Sequence, residues 1–341
     1  MIGRLLLIPA LLLLASILVP SRLALARDTV ATFSIVGYDP ATGDLGIAVE
    51  SRFFAVGAVV PWAKTRVGAI ATQSFANTTF GPKGLELLAA GKSAQETLDA
   101  LLKEDPQADQ RQVGIVDAQG RPATWTGAKC NPWAGGKSGK NYTAQGNILT
   151  GKEVVEAMAS SFEAAANLPL ADRLIKALSA GQAAGGDSRG QQSAALLVVR
   201  AKGGYSGYND RYIDLRVDDS PKPIEELARL LELHHTTNAY ADARFYLDRG
   251  DKDRAIQIME EATRKRLAAV TKPPDQGDAY YDLACFYSLA GLPDKALEYL
   301  GKAFPLNPAL RAYSLNDSDL DSLRKDSRYQ AMVKDAPQKA K

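Results

Sequence analysis

Histidine and cysteine are nearly missing from this 341-residue chain, which holds two of each: His234, His235, Cys130 and Cys285. Two cysteines so far apart exclude a disulfide framework and read as small buried thiols. Together the four residues are too few for a usual zinc ligand set, so no metal or other cofactor is expected. Serine and cysteine nucleophiles ordinarily recruit a histidine base. Here both histidines lie at the end of a leucine-striped segment and read as a solvated helix terminus. A strong charge bias is lacking too. The formal net charge is +2 and the basic residues are scattered, which argues against nucleic acid as a partner. No Gly-x-Ser-x-Gly elbow occurs. The run Gly135-Gly136-Lys137-Ser138-Gly139-Lys140 lacks the leading glycine that a phosphate loop needs.

One apolar run stands at the start. Arg4, apolar residues 5–18 and Ala24-Leu25-Ala26 read as a secretory signal over residues 1–26. The run is short for a full crossing, which takes about 20 residues. The expected mature chain begins near Arg27 in the periplasm or outside the cell, with no membrane span after cleavage.

Residues 29–217 alternate paired strand segments with paired helices. Residues 30–38 are β-rich, the 39–44 stretch supplies turn residues, and residues 45–49 resume a strand. Residues 56–61 and 67–74 continue the sheet, followed by helices over 82–90 and 94–103. Ser93-Ala94-Gln95-Glu96 forms a capping box for the second helix. Further strands are expected at 111–116, 123–126, 142–147, 192–200 and 211–217, with helices at 153–166 and 170–180. Strands in pairs with helix pairs between them favour antiparallel sheets over a doubly wound parallel one. The expected architecture is α+β: an αββα sandwich of two antiparallel sheets over residues 29–235, followed by an all-α region.

Beyond Ser220 the pattern is helical, with Ile224, Leu227, Leu230 and Leu231 on one stripe. Residues 243–250 (Ala-Arg-Phe-Tyr-Leu-Asp-Arg-Gly) return as residues 284–291 (Ala-Cys-Phe-Tyr-Ser-Leu-Ala-Gly). Small residues, aromatics and glycine match position for position. The spacing is similar to tetratricopeptide repeats, whose helix pairs stack through small residues. Residues 236–335 are therefore expected to form helical repeats that dock a protein partner.

The chemistry gathers at the first hairpin. Thr32 heads its leading strand, just behind a segment that looks removable. If Thr32 becomes the first residue, its own α-amine can take the hydroxyl proton and no histidine is needed. Such a site needs a positive field balanced by a carboxylate. Glu50, at the end of the second strand, and Lys64, after the third, are the expected pair, with Arg52 as the competing cation. The glycine-bounded run 185–193 carries polar side chains towards one end of the sheet, Asp187, Ser188, Gln192 and Ser193 among them.

Several of these segments resemble one family. They are Thr32-Phe33-Ser34-Ile35-Val36, Glu50-Ser51-Arg52-Phe53-Phe54-Ala55-Val56-Gly57, Pro61-Trp62-Ala63 and Ala71-Thr72-Gln73-Ser74. With them go Gly127-Ala128-Lys129-Cys130-Asn131-Pro132-Trp133-Ala134-Gly135, Gln145-Gly146-Asn147 and residues 185–195. In that order, over residues 32–233, they are similar to the domain-of-unknown-function 1028 family. The resemblance implies a fold like that of the N-terminal-nucleophile hydrolases, which cleave amide bonds. It also implies Thr32 as nucleophile, Glu50 as its acid, Lys64 as its lysine, and Ser193 or Asp187 in the later polar roles. Arg52, Asp187, Ser188 and Gln192 are the expected substrate-binding residues, for a small amide or peptide ligand. Two departures matter: glutamate stands where that superfamily uses aspartate, and residues 27–31 would remain ahead of Thr32 after signal cleavage. The alternative is a non-catalytic protein that binds a peptide-like ligand in the sheet cleft while its helical tail docks a partner.

Overall fold

The computed structural model describes residues 32–334. The expected signal over residues 1–26, and residues 27–31, lie outside the described residues. The strands are β1 (Thr32–Tyr38), β2 (Leu45–Ser51), β3 (Pro61–Lys64), β4 (Gly68–Ser74), β5 (Arg111–Asp117), β6 (Pro122–Thr126), β7 (Gly135–Gly139), β8 (Tyr142–Asn147), β9 (Ser193–Val199) and β10 (Arg211–Val217). They form a six-stranded sheet in the order β10-β9-β2-β1-β8-β7 and a four-stranded sheet in the order β3-β4-β5-β6. Every pairing is antiparallel.

Alternation along each strand sends side chains to opposite faces. On β2, Leu45, Ile47 and Val49 join Val36, Ala69, Ala71, Val116, Ala195 and Leu197 between the sheets. Ala48 faces the other way, with Phe33, Ile35, Ala144 and Leu196, into a layer formed by α3 (Glu153–Ala164), α4 (Leu170–Ala183) and α5 (Pro223–Thr237). The second sheet is covered by α1 (Phe80–Ala89) and α2 (Ala94–Glu104), through Ile70, Val113 and Ile115 against Leu98 and Leu101. The result is four layers, helix–sheet–sheet–helix. The two antiparallel sheets and the helical C-terminal part are as the sequence indicates.

Three local features differ from the sequence reading. The stretch expected as strand from residue 56 opens as a 3-10 turn at Val56–Ala58, with Ala55 left-handed at φ 53°. Ser193 Oγ holds that turn by accepting the Val56 N–H at 3.0 Å. The glycine-rich run Gly135–Gly139 is an edge strand on β8, where small residues fit a crowded sheet end. His234 and His235 are half-buried rather than fully solvated: His234 packs edge-on to Tyr212 with ring centroids 5.3 Å apart, and His235 Nε2 lies 3.2 Å from Asp172. Burial, with His235 and Arg200 nearby, pulls the His234 imidazole down to about 4.

The C-terminal part holds α6 (Ala239–Leu247), α7 (Lys252–Ala269), α8 (Pro273–Leu289), α9 (Pro293–Leu306), α10 (Ala309–Ser314) and α11 (Ser327–Val333). Both copies of the sequence repeat turn between helices in the same way. Gly250 (φ 82°) and Gly291 (φ 68°) are left-handed. The N–H after each reaches back five residues, Asp251 to Tyr246 at 3.0 Å and Leu292 to Tyr287 at 2.9 Å, a Schellman closure. Ala243, Ala255, Ala284 and Ala296 let the helices approach. Among the described residues, no helix is long and apolar enough to cross a membrane. Cys130 and Cys285 are both free and buried.

Arg200, 3% exposed, joins the two parts. It donates to Asp44 through Nε (2.9 Å) and Nη2 (2.7 Å), and its Nη1 lies 3.5 Å from Asp242 on α6. Its guanidinium is sandwiched between Tyr212 (3.8 Å) and Phe245 (4.0 Å). Replacing it leaves two buried carboxylates uncompensated. Arg200→Gln is expected to lower stability by about 3–5 kcal/mol, read from the urea unfolding midpoint at neutral pH.

Candidate functional site

At one end of the six-stranded sheet a row of polar residues crosses four neighbouring strands. Asn147 on β8 pairs with Thr32 on β1, Thr32 with Ser51 on β2, and Ser51 with Ser193 on β9. All four are fully buried. All four face the interior between the sheets, since Val36, Val49 and Ala195, an even number of residues away on their strands, do so. Thr32 Oγ1 donates to Ser51 Oγ at 3.1 Å. Ser193 Oγ donates to the Phe53 carbonyl at 2.5 Å as well as holding Val56, so its hydroxyl is committed to shaping the 53–56 turn.

Behind the row lies a ladder of amides from both sheets. Ser34 Oγ donates to Gln73 Oε1 at 2.6 Å. Gln73 Nε2 donates to the Thr32 carbonyl (3.3 Å) and to Gln112 Oε1 (2.8 Å). Asn147 Nδ2 donates to the same Gln112 oxygen at 3.0 Å, and Gln145 Nε2 donates to Ser34 Oγ at 2.6 Å. Gly114 makes room for this ladder, because a Cβ there would sit 2.2 Å from Gln145 Oε1. In this row Asn147 Oδ1 is a buried polar atom with no hydrogen-bond partner. An unpaired buried acceptor beside a hydroxyl is poised to take a donor from a ligand or an amine.

The remaining candidate residues divide. Glu50 pairs in register with Phe33, not Thr32, and faces the helix layer as Ala48 does. Thr32 and Glu50 therefore stand at the same sheet end but on opposite faces. Glu50 is fully buried and neither carboxylate oxygen has a hydrogen-bond partner. Burial, then the neighbouring Asp187 carboxylate, raises its pKa well above 4.5. The nearby Gln192 N–H opposes that shift but is committed to the Ser51 carbonyl at 3.2 Å. Lys64 is exposed and pairs with Gly68, at the other end of the four-stranded sheet. Gln73, which touches Thr32, is five residues further along β4, about 17 Å away. The sheet geometry thus does not bring Lys64 to Glu50 or to Thr32.

Asp187 is buried beside Glu50 and is the anchor of the glycine-rich run. It accepts the N–H of Arg52 (3.1 Å), the N–H of Arg189 (2.9 Å) and the Arg189 guanidinium (2.8 Å). The exposed Arg52 guanidinium donates to the Arg189 carbonyl at 3.4 Å. Ser188 is exposed, its N–H donating to the Ile148 carbonyl at 2.9 Å, and Gln192 Nε2 donates to Asp219 at 3.1 Å. Ser51, Gln73, Gln112, Gln145 and Asn147 were given no role by the sequence reading. Their signal is a polar residue at every second position of otherwise apolar strands, as in Thr143, Gln145 and Asn147 of β8. Among the described residues no cluster of three or more His, Cys, Asp or Glu could hold a metal ion.

The fold and this site define a two-sheet α+β sandwich with a hydroxyl–amide constellation buried at one sheet end. The chain belongs to the family of unknown function DUF1028, whose model matches residues 32–227. It is similar to a crystal structure of a Silicibacter pomeroyi protein assigned to the same family. The two are 30% identical, and the match covers 59% of this chain and 88% of that one with a TM-score of 0.54. No curated protein matches.

Glu50 gives a pH signature with a definite sign. Its folded pKa lies above its ordinary value of 4.5, so wild-type stability falls as pH rises from that value towards the folded one. Glu50→Gln keeps the neutral shape and removes the titration. The variant is expected to gain on the wild type steadily between pH 4 and the folded-state pKa, as seen in unfolding midpoints measured across that range. A stability difference independent of pH would mean that folding does not shift the Glu50 pKa.

Proposed function

We propose that this protein is an amidohydrolase of the N-terminal-nucleophile kind, with Thr32 as nucleophile. The observation that carries the reading is the buried row Asn147–Thr32–Ser51–Ser193, which meets the amide ladder at the head of β1. Hydrolysis requires that the bond ahead of Thr32 be cut, which creates the amine. That amine takes the Thr32 hydroxyl proton as Oγ1 attacks the substrate carbonyl carbon, then passes it to the departing nitrogen. A water molecule, deprotonated by the same amine, cleaves the resulting ester and restores threonine. Asn147 Oδ1 is the acceptor that can orient the amine, and Ser51 Oγ the neighbour that fixes the Thr32 rotamer.

The Glu50–Lys64 pair has no place in this arrangement. Glu50 instead supports the sheet end from behind, beside Asp187 and the run that carries Arg52, Ser188 and Gln192 towards substrate. Within the same reading the protein works in the periplasm or outside the cell. Its helix pairs, tetratricopeptide-like in spacing, offer a surface to a protein partner.

A second reading has its own support. Thr32 is fully buried, and the chain that precedes it would block the amine while uncut. The fold would then hold a small amide or peptide without turning it over. One experiment separates the two. The N-terminal residue of the mature protein is determined by intact mass and terminal sequencing, and the protein is then assayed on a panel of amide substrates. The hydrolase reading expects a chain that begins at Thr32, with turnover reduced by several orders of magnitude in Thr32→Ala and largely kept in Thr32→Ser. Turnover that survives Thr32→Ala sinks the assignment. Thermal stabilisation by the same amides without turnover supports the binding reading.

A further inference from the structure

We propose that a second site, in the cavity between the sandwich and the helical part, binds a short peptide of two or three residues with both termini free. The cavity has a volume of about 350 Å³ and lies between α4, α5, β10 and one face of α7. That is at the small end of the range for small-molecule sites. Arg254, Ile258, Glu261 and Lys265 fall on one stripe of α7, at spacings of three, four and seven residues, and all line the cavity.

The charges on this stripe are unevenly matched. Arg254 donates to the neutral Gln257 side chain at 3.0 Å and, among the described residues, has no carboxylate within ion-pair distance. At the other end Lys265 lies between two carboxylates, Glu232 at 2.5 Å and Glu261 at 2.7 Å. Within ion-pair distance one cation serves two anions there, with Arg264 and Arg254 acting on Glu261 from further off, while Arg254 has no carboxylate at that distance. A ligand that carries an anion at one end and a cation at the other answers both. Seven residues of helix separate Arg254 from Glu261, an axial distance of about 10 Å. An extended chain of three residues spans about 10 Å as well. Between the two ends Tyr212, Tyr246 and Ile258 provide walls that suit a backbone with small side chains. The peptide carboxylate meets the Arg254 guanidinium, and the peptide ammonium meets the Glu232–Glu261 pair.

This site does not depend on the Thr32 chemistry. The cavity includes Arg200, which follows β9 at Val199, whereas Ser193 of the Thr32 row begins β9. Six residues of strand put about 20 Å between the two sites. The fixed Arg200 clamp keeps the walls in place without a ligand.

The test is isothermal titration of the full chain with tri-alanine, tri-alanine amide and N-acetyl-tri-alanine, carried out in the Thr32→Ala background so that turnover cannot consume the probe. Tri-alanine is expected to bind, and blocking either terminus to weaken it at least tenfold. Arg254→Gln is expected to weaken tri-alanine at least tenfold yet leave the amide within twofold, since the amide has already lost the carboxylate. Glu261→Gln should show the mirror pattern, weakening tri-alanine more than the N-acetyl form. Indifference to both blocked termini, or the absence of binding at millimolar tri-alanine, overturns the proposal. The blocked peptides need no further variant, so a misfolded Arg254→Gln protein does not protect it. Because the Arg254→Gln and Glu261→Gln variants, and not the titration alone, assign the binding to the α7 stripe, tri-alanine that binds equally well to both variants also overturns the proposal, whether or not Thr32 is a nucleophile.

Discussion

The hydrogen-bonded amides between the two sheets constrain everything around them. Gln73 and Gln112 come from the four-stranded sheet, Ser34, Gln145 and Asn147 from the six-stranded one; Ser34–Gln73 and Asn147–Gln112 bond across the gap, while Gln73–Gln112 and Gln145–Ser34 tie the ladder together within each sheet. A buried amide without partners costs about 1–3 kcal/mol, so the ladder holds only when both sheets have the right register. A slip of one residue on β1 would turn Thr32 and Ser34 to the helix side and bring Phe33 into the amides. The apolar packing of Val36, Ile47, Val49 and Ala71 further along tolerates more variation, because apolar contact is not directional. Register is therefore fixed at the polar end and filled in at the apolar one. This explains why the hydroxyl row is so well determined.

The same two-faced geometry separates roles that adjacency in sequence would merge. Glu50 and Ser51 are neighbours, yet they face different layers of the molecule. Ser51 belongs with Thr32, whereas Glu50 belongs with Asp187 beneath the glycine-rich run. Two carboxyls in a buried space cannot both ionise cheaply. Asp187 takes up the Arg189 guanidinium and two backbone N–H donors, while burial beside it raises the Glu50 pKa. The pair thus ties Arg52 and the 185–193 run to the sheet end and leaves the Thr32 face without a carboxylate of its own from β2.

Much of this was legible in the sequence, and what was not has a physical cause. Paired strands and paired helices implied two antiparallel sheets, and the Ser93 capping box marked α2, because those signals are local. The repeat of residues 243–250 at 284–291 reflects a turn that needs a left-handed glycine at Gly250 and Gly291. Glu50 was assigned to Thr32 because a hairpin brings strand ends together. Register, which puts Glu50 opposite Phe33, is set by contacts between sheets that no local pattern contains. Lys64 lies far from Thr32 for a similar reason, since β3 runs away from the Thr32 end before β4 returns to it. The edge strand at Gly135–Gly139 has almost no side chains to give a strand pattern. The amides were visible as alternating polar positions, but their meaning depends on partners in another sheet.

The junction of the two parts follows the opposite logic. Arg200 satisfies Asp44 and Asp242 at once and is held between two aromatic rings, so it has little freedom left. A clamp of this kind costs desolvation of three charges, and such clusters add less to stability than their contact list suggests. What it supplies is geometry: α6 is fixed against the end of β9, and α7 follows in a set position over α4 and α5. The Lys265 bridge to Glu232 then ties α7 to α5 from the more exposed side, with Glu261 holding the same lysine from within α7. Two attachment points with a gap between them make a cavity that neither part could form alone. Its unmatched charges are a consequence of where α7 lies. Arg254 bonds to Gln257, and among the described residues no carboxylate reaches it within ion-pair distance. A ligand that supplies the missing carboxylate would complete the junction, so its binding would stiffen the contact between the helical part and the sheet whose far end carries Thr32.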